Sequence, residues 1–128
     1  MVEFVKKTNS LFCSLENEII EIEPWGRNGL RVRCTQSNEI KRDRINALIN
    51  QGDYQADIEI HLNGASIQNG EVKANINSKG ELSFVNINDG KELLKEKPIH
   101  LISIPARAYK DLNGDLFHVD CCFEAYDD

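Results

Sequence analysis

Three histidines, a dense set of carboxylates, four cysteines and one tryptophan are the side chains of this chain with the clearest chemical potential. His61, His100 and His118 fall in strand-like segments, and none has a second histidine or a cysteine at ligand spacing. A histidine base also needs a nucleophile and an orienting acid, which spacing here does not assemble. Each is expected as a half-exposed strand residue. Glu18, Glu21 and Glu23, and then Asp57 and Glu59, alternate with apolar neighbours, as solvent-facing strand positions do. Glycoside chemistry needs two carboxyls about 5–10 Å apart in a desolvated cleft, one with a raised pKa. Nothing local marks such a pair, so no catalytic residue is assigned.

Metal chemistry fares no better. Cys13, Cys34, Cys121 and Cys122 show no C-x-x-C spacing. Adjacent Cys121 and Cys122 would point to opposite faces of a strand and could not share one tetrahedral ion. All four are expected as reduced thiols, at least two of them packing as small hydrophobes. Asp111-Leu-Asn113-Gly114-Asp115 superficially matches a calcium loop, but its glycine stands at the fourth place instead of the sixth. Cys122 occupies the place that the glutamate ligand needs. A hairpin turn accounts for it better. No metal and no cofactor is expected. Trp25, between Pro24 and Gly26, is the one candidate binding residue: its flat apolar face could stack on a sugar ring, or it could close the end of a core.

The elements that would carry these side chains read as strands. From Asp57 to Phe84 apolar and polar residues alternate, punctuated by Asn63-Gly64, Asn69-Gly70 and Lys79-Gly80. A period of two describes a strand with one wet and one buried face. Asn-Gly favours tight hairpins, with positive φ expected at both turn residues. Leu11–Leu15, Glu18–Glu23 and Gly29–Thr35 are earlier strands; the last sets Leu30, Val32 and Cys34 on one face and Arg31 and Arg33 on the other. Those arginines should serve solubility or pair with acids on a neighbouring strand. From Asn38 to Asn50 the apolar spacing becomes helical, with Ser37 or Asn38 as cap and Gln51-Gly52 as stop, so one short helix or helical turn is predicted there, with an irregular loop joining two sheets as the alternative. Ile99–Ile104 and Leu116–Ala125 complete about nine strands, which predicts an all-β antiparallel sandwich in one domain, residues 1–128.

Composition narrows the function classes. At 128 residues the chain suits one domain, burying roughly two thirds of its unfolded surface. Its net charge of −6 opposes phosphate backbones, and Lys41-Arg42-Asp43-Arg44 is a short cluster broken by an acid, so no nucleic-acid partner is expected. No apolar run approaches the ~20 residues of a membrane span. The first residues lack a secretory h-region, so no membrane and a cytoplasmic address are expected.

Five segments in one order then resemble a known family. These are Gly29-Leu-Arg-Val-Arg-Cys-Thr35, Ile67-Gln-Asn-Gly-Glu-Val-Lys-Ala-Asn-Ile76, Gly80-Glu-Leu-Ser-Phe84, Leu93-Leu-Lys-Glu96 and Leu116–Asp128. They are similar to the R-V-R, N-G-x-(V/L)-x-A-x-I, G-x-L-x-F and L-L-x-E strands, and the acidic turn after them, in the N-terminal β-sandwich of glycoside hydrolase family 31, the α-glucosidases and α-xylosidases. The stretch 35–54 matches no pattern of that family. The resemblance implies a galactose mutarotase-like fold and a non-catalytic domain. It also implies a retaining mechanism run by aspartates on a downstream (β/α)8 barrel, which would be this domain's partner, with a carbohydrate as substrate. No residue here matches a catalytic motif of the family. A place in a homo-oligomer interface, a free-standing carbohydrate-binding sandwich and a purely structural domain are the other expectations.

Overall fold

A computed structural model describes residues 2–36 and 54–96, and the course of three later strands, Arg107–Asn113, Leu116–Cys121 and Phe123–Ala125. Four strands, β1 (Glu3–Lys7), β2 (Ser10–Leu15), β3 (Glu18–Pro24) and β4 (Leu30–Thr35), form an antiparallel meander. A second meander runs through β5 (Asp57–His61), β6 (Gly64–Asn69), β7 (Val72–Asn77), β8 (Leu82–Asn86) and β9 (Glu92–Glu96). β12 (Phe123–Ala125) adds beside β9, giving a six-stranded sheet in the order β12-β9-β8-β7-β6-β5. β10 (Arg107–Asn113) and β11 (Leu116–Cys121) pair as a separate hairpin.

The period-two pattern decides how the two sheets stack. Leu11 and Cys13 of β2 and Ile20 and Ile22 of β3 face Ala65 and Ile67 of β6, Ala74 and Ile76 of β7, and Leu82 of β8 in one buried cluster. Phe4, Leu30, Val32, Cys34, Ile58 and Phe84 pack around it. Facing layers of alternating side chains are the packing of a sandwich, so the predicted fold class is the one found. Cys13 lies fully in the core and Cys34 packs against it, as expected of small hydrophobes. The side chains of Cys121 and Cys122 lie outside the described residues, as do those of His100 and His118, the strand predicted at Ile99–Ile104 and the helix predicted over Asn38–Asn50.

Three expectations are corrected. Leu116–Ala125 is two strands, β11 and β12, in different sheets. Glu3–Lys7 and Glu92–Glu96 are strands that the alternation did not reveal. In β9 the family-like Leu93-Leu-Lys-Glu96 has a physical role: the buried Glu96 carboxylate accepts the N–H of Leu82 at 2.8 Å, fixing the start of β8. The hairpin glycines also work differently from the prediction. Gly64 lies at the first position of β6 with ordinary φ, and is required by space, since a Cβ there would meet the Ile76 carbonyl at 2.6 Å. At Asn69-Gly70 only the glycine has positive φ, +63°, as the first residue of the turn.

Candidate functional site

Trp25 begins the loop between β3 and β4, and its N–H donates to the Gly29 carbonyl at 2.9 Å, closing the loop on itself. Pro24 stands opposite Leu30 as the last pair of the β3–β4 ladder, so the chain must turn at Trp25. The loop is then tied to the other sheet. Asn69, 2% exposed at the end of β6, donates its amide nitrogen to the carbonyls of Gly26 at 2.9 Å and Gly29 at 2.7 Å. Asn28 accepts the N–H of Glu71 at 2.9 Å from the same hairpin turn. A Cβ at residue 70 would lie 2.1 Å from the Asn28 oxygen, so the turn closes on the loop without a side chain between them.

Next to Trp25 lies a row of charge on the face of the four-stranded sheet turned away from the core. Cross-strand register sets Glu23 against Arg31 and Glu21 against Arg33. Arg31 grips Glu23 through Nε at 2.7 Å and through Nη2, while Arg33 reaches Glu21 at 2.7 Å and Glu23 at 3.4 Å. The Arg31 guanidinium also lies 3.8 Å from the centre of the Trp25 ring, a cation–π stack. Trp25 is therefore half-buried with one face occupied by Arg31.

The pairing of the two arginines with acids on the neighbouring strand follows the sequence expectation. Their solvation does not. Glu21 was read as a wet-face carboxylate, yet it is only 1% exposed. Its strand has neighbours on both sides, with Phe12 opposite on β2 and Arg33 opposite on β4. Large cross-strand partners cover a short carboxylate that alternation alone assigns to water. Asp57 and Glu59 are exposed as expected. His61 lies on the surface 3.3 Å from Glu59 and far from any nucleophile-like arrangement among the described residues. No group of three or more histidines, cysteines or acids that could hold a metal occurs among the described residues.

Sequence reasoning singled out Trp25 but missed the groups that hold it, Asn69, Asn28 and Arg31. The available signal was the pair of Asn-Gly dipeptides at 28–29 and 69–70: the second is expected only as a hairpin turn, and the first stands outside the sequence expectations.

No family model matches the chain. An uncharacterised family 31 glucosidase of Pseudescherichia vulneris is 29% identical over 143 residues, a match taking in 98% of this chain and 27% of that protein. The crystal structure of a GH31 α-xylosidase from a soil metagenome, complexed with xylose, matches with a TM-score of 0.85 at 29% identity. That likeness covers 98% of this chain and 21% of the xylosidase. Fold and sequence thus define one class, an antiparallel β-sandwich of the kind found in glycosidases. The resemblance to glycoside hydrolase family 31 drawn from the strand motifs holds along nearly the whole chain, which spans 27% of the curated relative's length.

Proposed function

We propose that this chain acts as the non-catalytic N-terminal β-sandwich of a retaining α-glycosidase, an α-xylosidase or α-glucosidase, supporting a downstream (β/α)8 barrel that holds the catalytic carboxylates. The supporting observation is the asymmetry of coverage: 98% of this chain aligns with 27% and 21% of two much longer family 31 proteins. The described site agrees in kind, since its carboxylates Glu21 and Glu23 are spent on Arg33 and Arg31.

In this reading the parent enzyme acts on an oligosaccharide in the cytoplasm, and the sandwich packs on the barrel and shapes the mouth of its active site. Trp25 contacts carbohydrate only through the ring face that Arg31 leaves uncovered. The purified 128-residue chain is expected to be silent on aryl α-xylosides and α-glucosides; turnover by it would overturn the proposal. Coding sequence that runs from Asp128 into a barrel with paired aspartates supports it. A stop codon there, together with calorimetric binding of xylose or glucose that Trp25→Ala abolishes, would favour a free-standing binding module.

A further inference from the structure

β5 ends the six-stranded sheet, and its outer edge has no strand beside it among the described residues. Its hairpin with β6 turns on Leu62 and Asn63, which makes His61 and Gly64 the pair that exchanges both backbone bonds. Parity then directs the N–H and C=O groups of Ile58 and Ile60 away from β6. The preceding residues report the same parity. The N–H of Ala56 points outward and is taken by Asn9 Oδ1 at 2.8 Å, while the Asn9 amide nitrogen donates to the Tyr54 carbonyl. Asn9 thus stands in for a neighbouring strand over 54–56, and among the described residues nothing pairs with the edge over 58–60.

Open edges are normally blunted by shortness, by charged side chains (lysine above all), by proline or by a bulge; β5 has the first two, in its five residues and in Asp57 and Glu59, but not the others. β1, the edge of the other sheet, carries Lys6 and Lys7. β5 reads Asp57-Ile-Glu-Ile-His61, with no lysine or proline and an unbroken register to β6. Ile60 is 47% exposed and Leu62, in the adjoining turn, 96%.

We propose that β5 pairs with β5 of a second copy of this chain, antiparallel about a twofold axis through Glu59. The edge is self-complementary in that register. Ile58 exchanges both backbone bonds with the partner's Ile60, the two isoleucines share one face, and Asp57 faces the imidazole of the partner's His61. One contact opposes the pairing, Glu59 against the partner's Glu59 across the axis. The proposal concerns the 128-residue chain itself and is independent of the glycosidase reading.

Sedimentation equilibrium of the 128-residue chain over rising concentration tests it. A weak monomer–dimer equilibrium is expected, since a single five-residue edge buries little area. Ile60→Lys, which places a charge on a half-exposed edge position, should leave the thermal unfolding curve in place and abolish the dimer. Glu59→Gln should tighten it severalfold by removing the one repulsive contact. A monomer at every concentration overturns the proposal, as does a dimer that Ile60→Lys leaves intact or that Glu59→Gln weakens.

Discussion

Arg33 holds Glu21 at 2.7 Å on the side of the four-stranded sheet that faces away from the core, and Glu21 is nonetheless almost wholly excluded from solvent. An ion pair in such a place costs desolvation on both partners, and its loss is asymmetric. Arg33→Met leaves a buried carboxylate without its cation and should cost about 3 kcal/mol. The double variant Arg33→Met with Glu21→Met should recover part of that loss, because it removes a buried carboxylate that has lost this guanidinium. Urea denaturation of the single and double variants measures both values. Equal stabilities for the two would mean that Glu21 without Arg33 carries no penalty, which contradicts the expectation.

Asn69 should be the least replaceable residue of the seam between sheets. Asn69→Ala removes two hydrogen bonds and leaves the carbonyls of Gly26 and Gly29 without that donor, an expected loss of about 2 kcal/mol. Asn69→Asp should cost more, since a carboxylate would face two carbonyl oxygens with nothing to donate. Thermal melts rank the two variants, and the order Ala worse than Asp would contradict the donor role.

Trp25 is the single tryptophan, so its emission reports this loop alone. Arg31→Ala removes the guanidinium from the indole face, and the fluorescence maximum should move to longer wavelength as water reaches the ring. The stability change should be modest for the stack, about 1 kcal/mol, with a further contribution from Glu23, which keeps only the longer contact to Arg33. An unchanged spectrum would mean that Arg31 does not shield the ring in solution.

Thr8, in the turn between β1 and β2, has φ of +53°, a conformation that a β-branched residue adopts only under strain. Thr8→Gly relieves that strain and should stabilise the chain by roughly 0.5 to 1 kcal/mol, the gain being reduced by the greater freedom of glycine in the unfolded state. At the β6–β7 turn the opposite sign is expected. Gly70→Ala meets both a φ of +63° and contacts with the Arg27 carbonyl and the Asn28 side chain, and should destabilise by more than 1 kcal/mol. Guanidinium midpoints of the two variants should move in opposite directions.

The sandwich could be read from the chain because most of its strands keep one face apolar at every second residue. Leu30, Val32 and Cys34 on one side of β4, against Arg31 and Arg33 on the other, is the clearest case, and even the acids that pair with those arginines follow from Glu21 and Glu23 on the preceding strand. Where an adjacent apolar pair stands alone the signal fails. Phe4-Val5 in β1 and Leu93-Leu94 in β9 stand between charged residues with no further apolar position to set a period, whereas Cys13 and Leu15 after Leu11-Phe12, and Ile22 after Ile19-Ile20, restore it. Burial of a polar side chain is harder still to foresee. Glu21 and Asn69 look like ordinary strand and turn residues in sequence; cross-strand neighbours on the outer face remove the first from water, and the meeting of the two sheets removes the second. Trp25 stands out by its type, while Asn69, which ties its loop to the other sheet, lies 40 or more residues from the carbonyls it holds.

The seam between the sheets also sets how this protein ages. Asn28 and Asn69 each precede a glycine, the context in which a side-chain amide is most readily lost through attack by the next backbone nitrogen. Ammonia release at Asn69 would turn a double donor into an anion facing two oxygens, so a single hydrolysed amide would loosen the joint that Trp25 rests on. Peptide mapping of stored protein should find the exposed Asn63 converted well before Asn69, with the second conversion following the rate at which the seam breathes open.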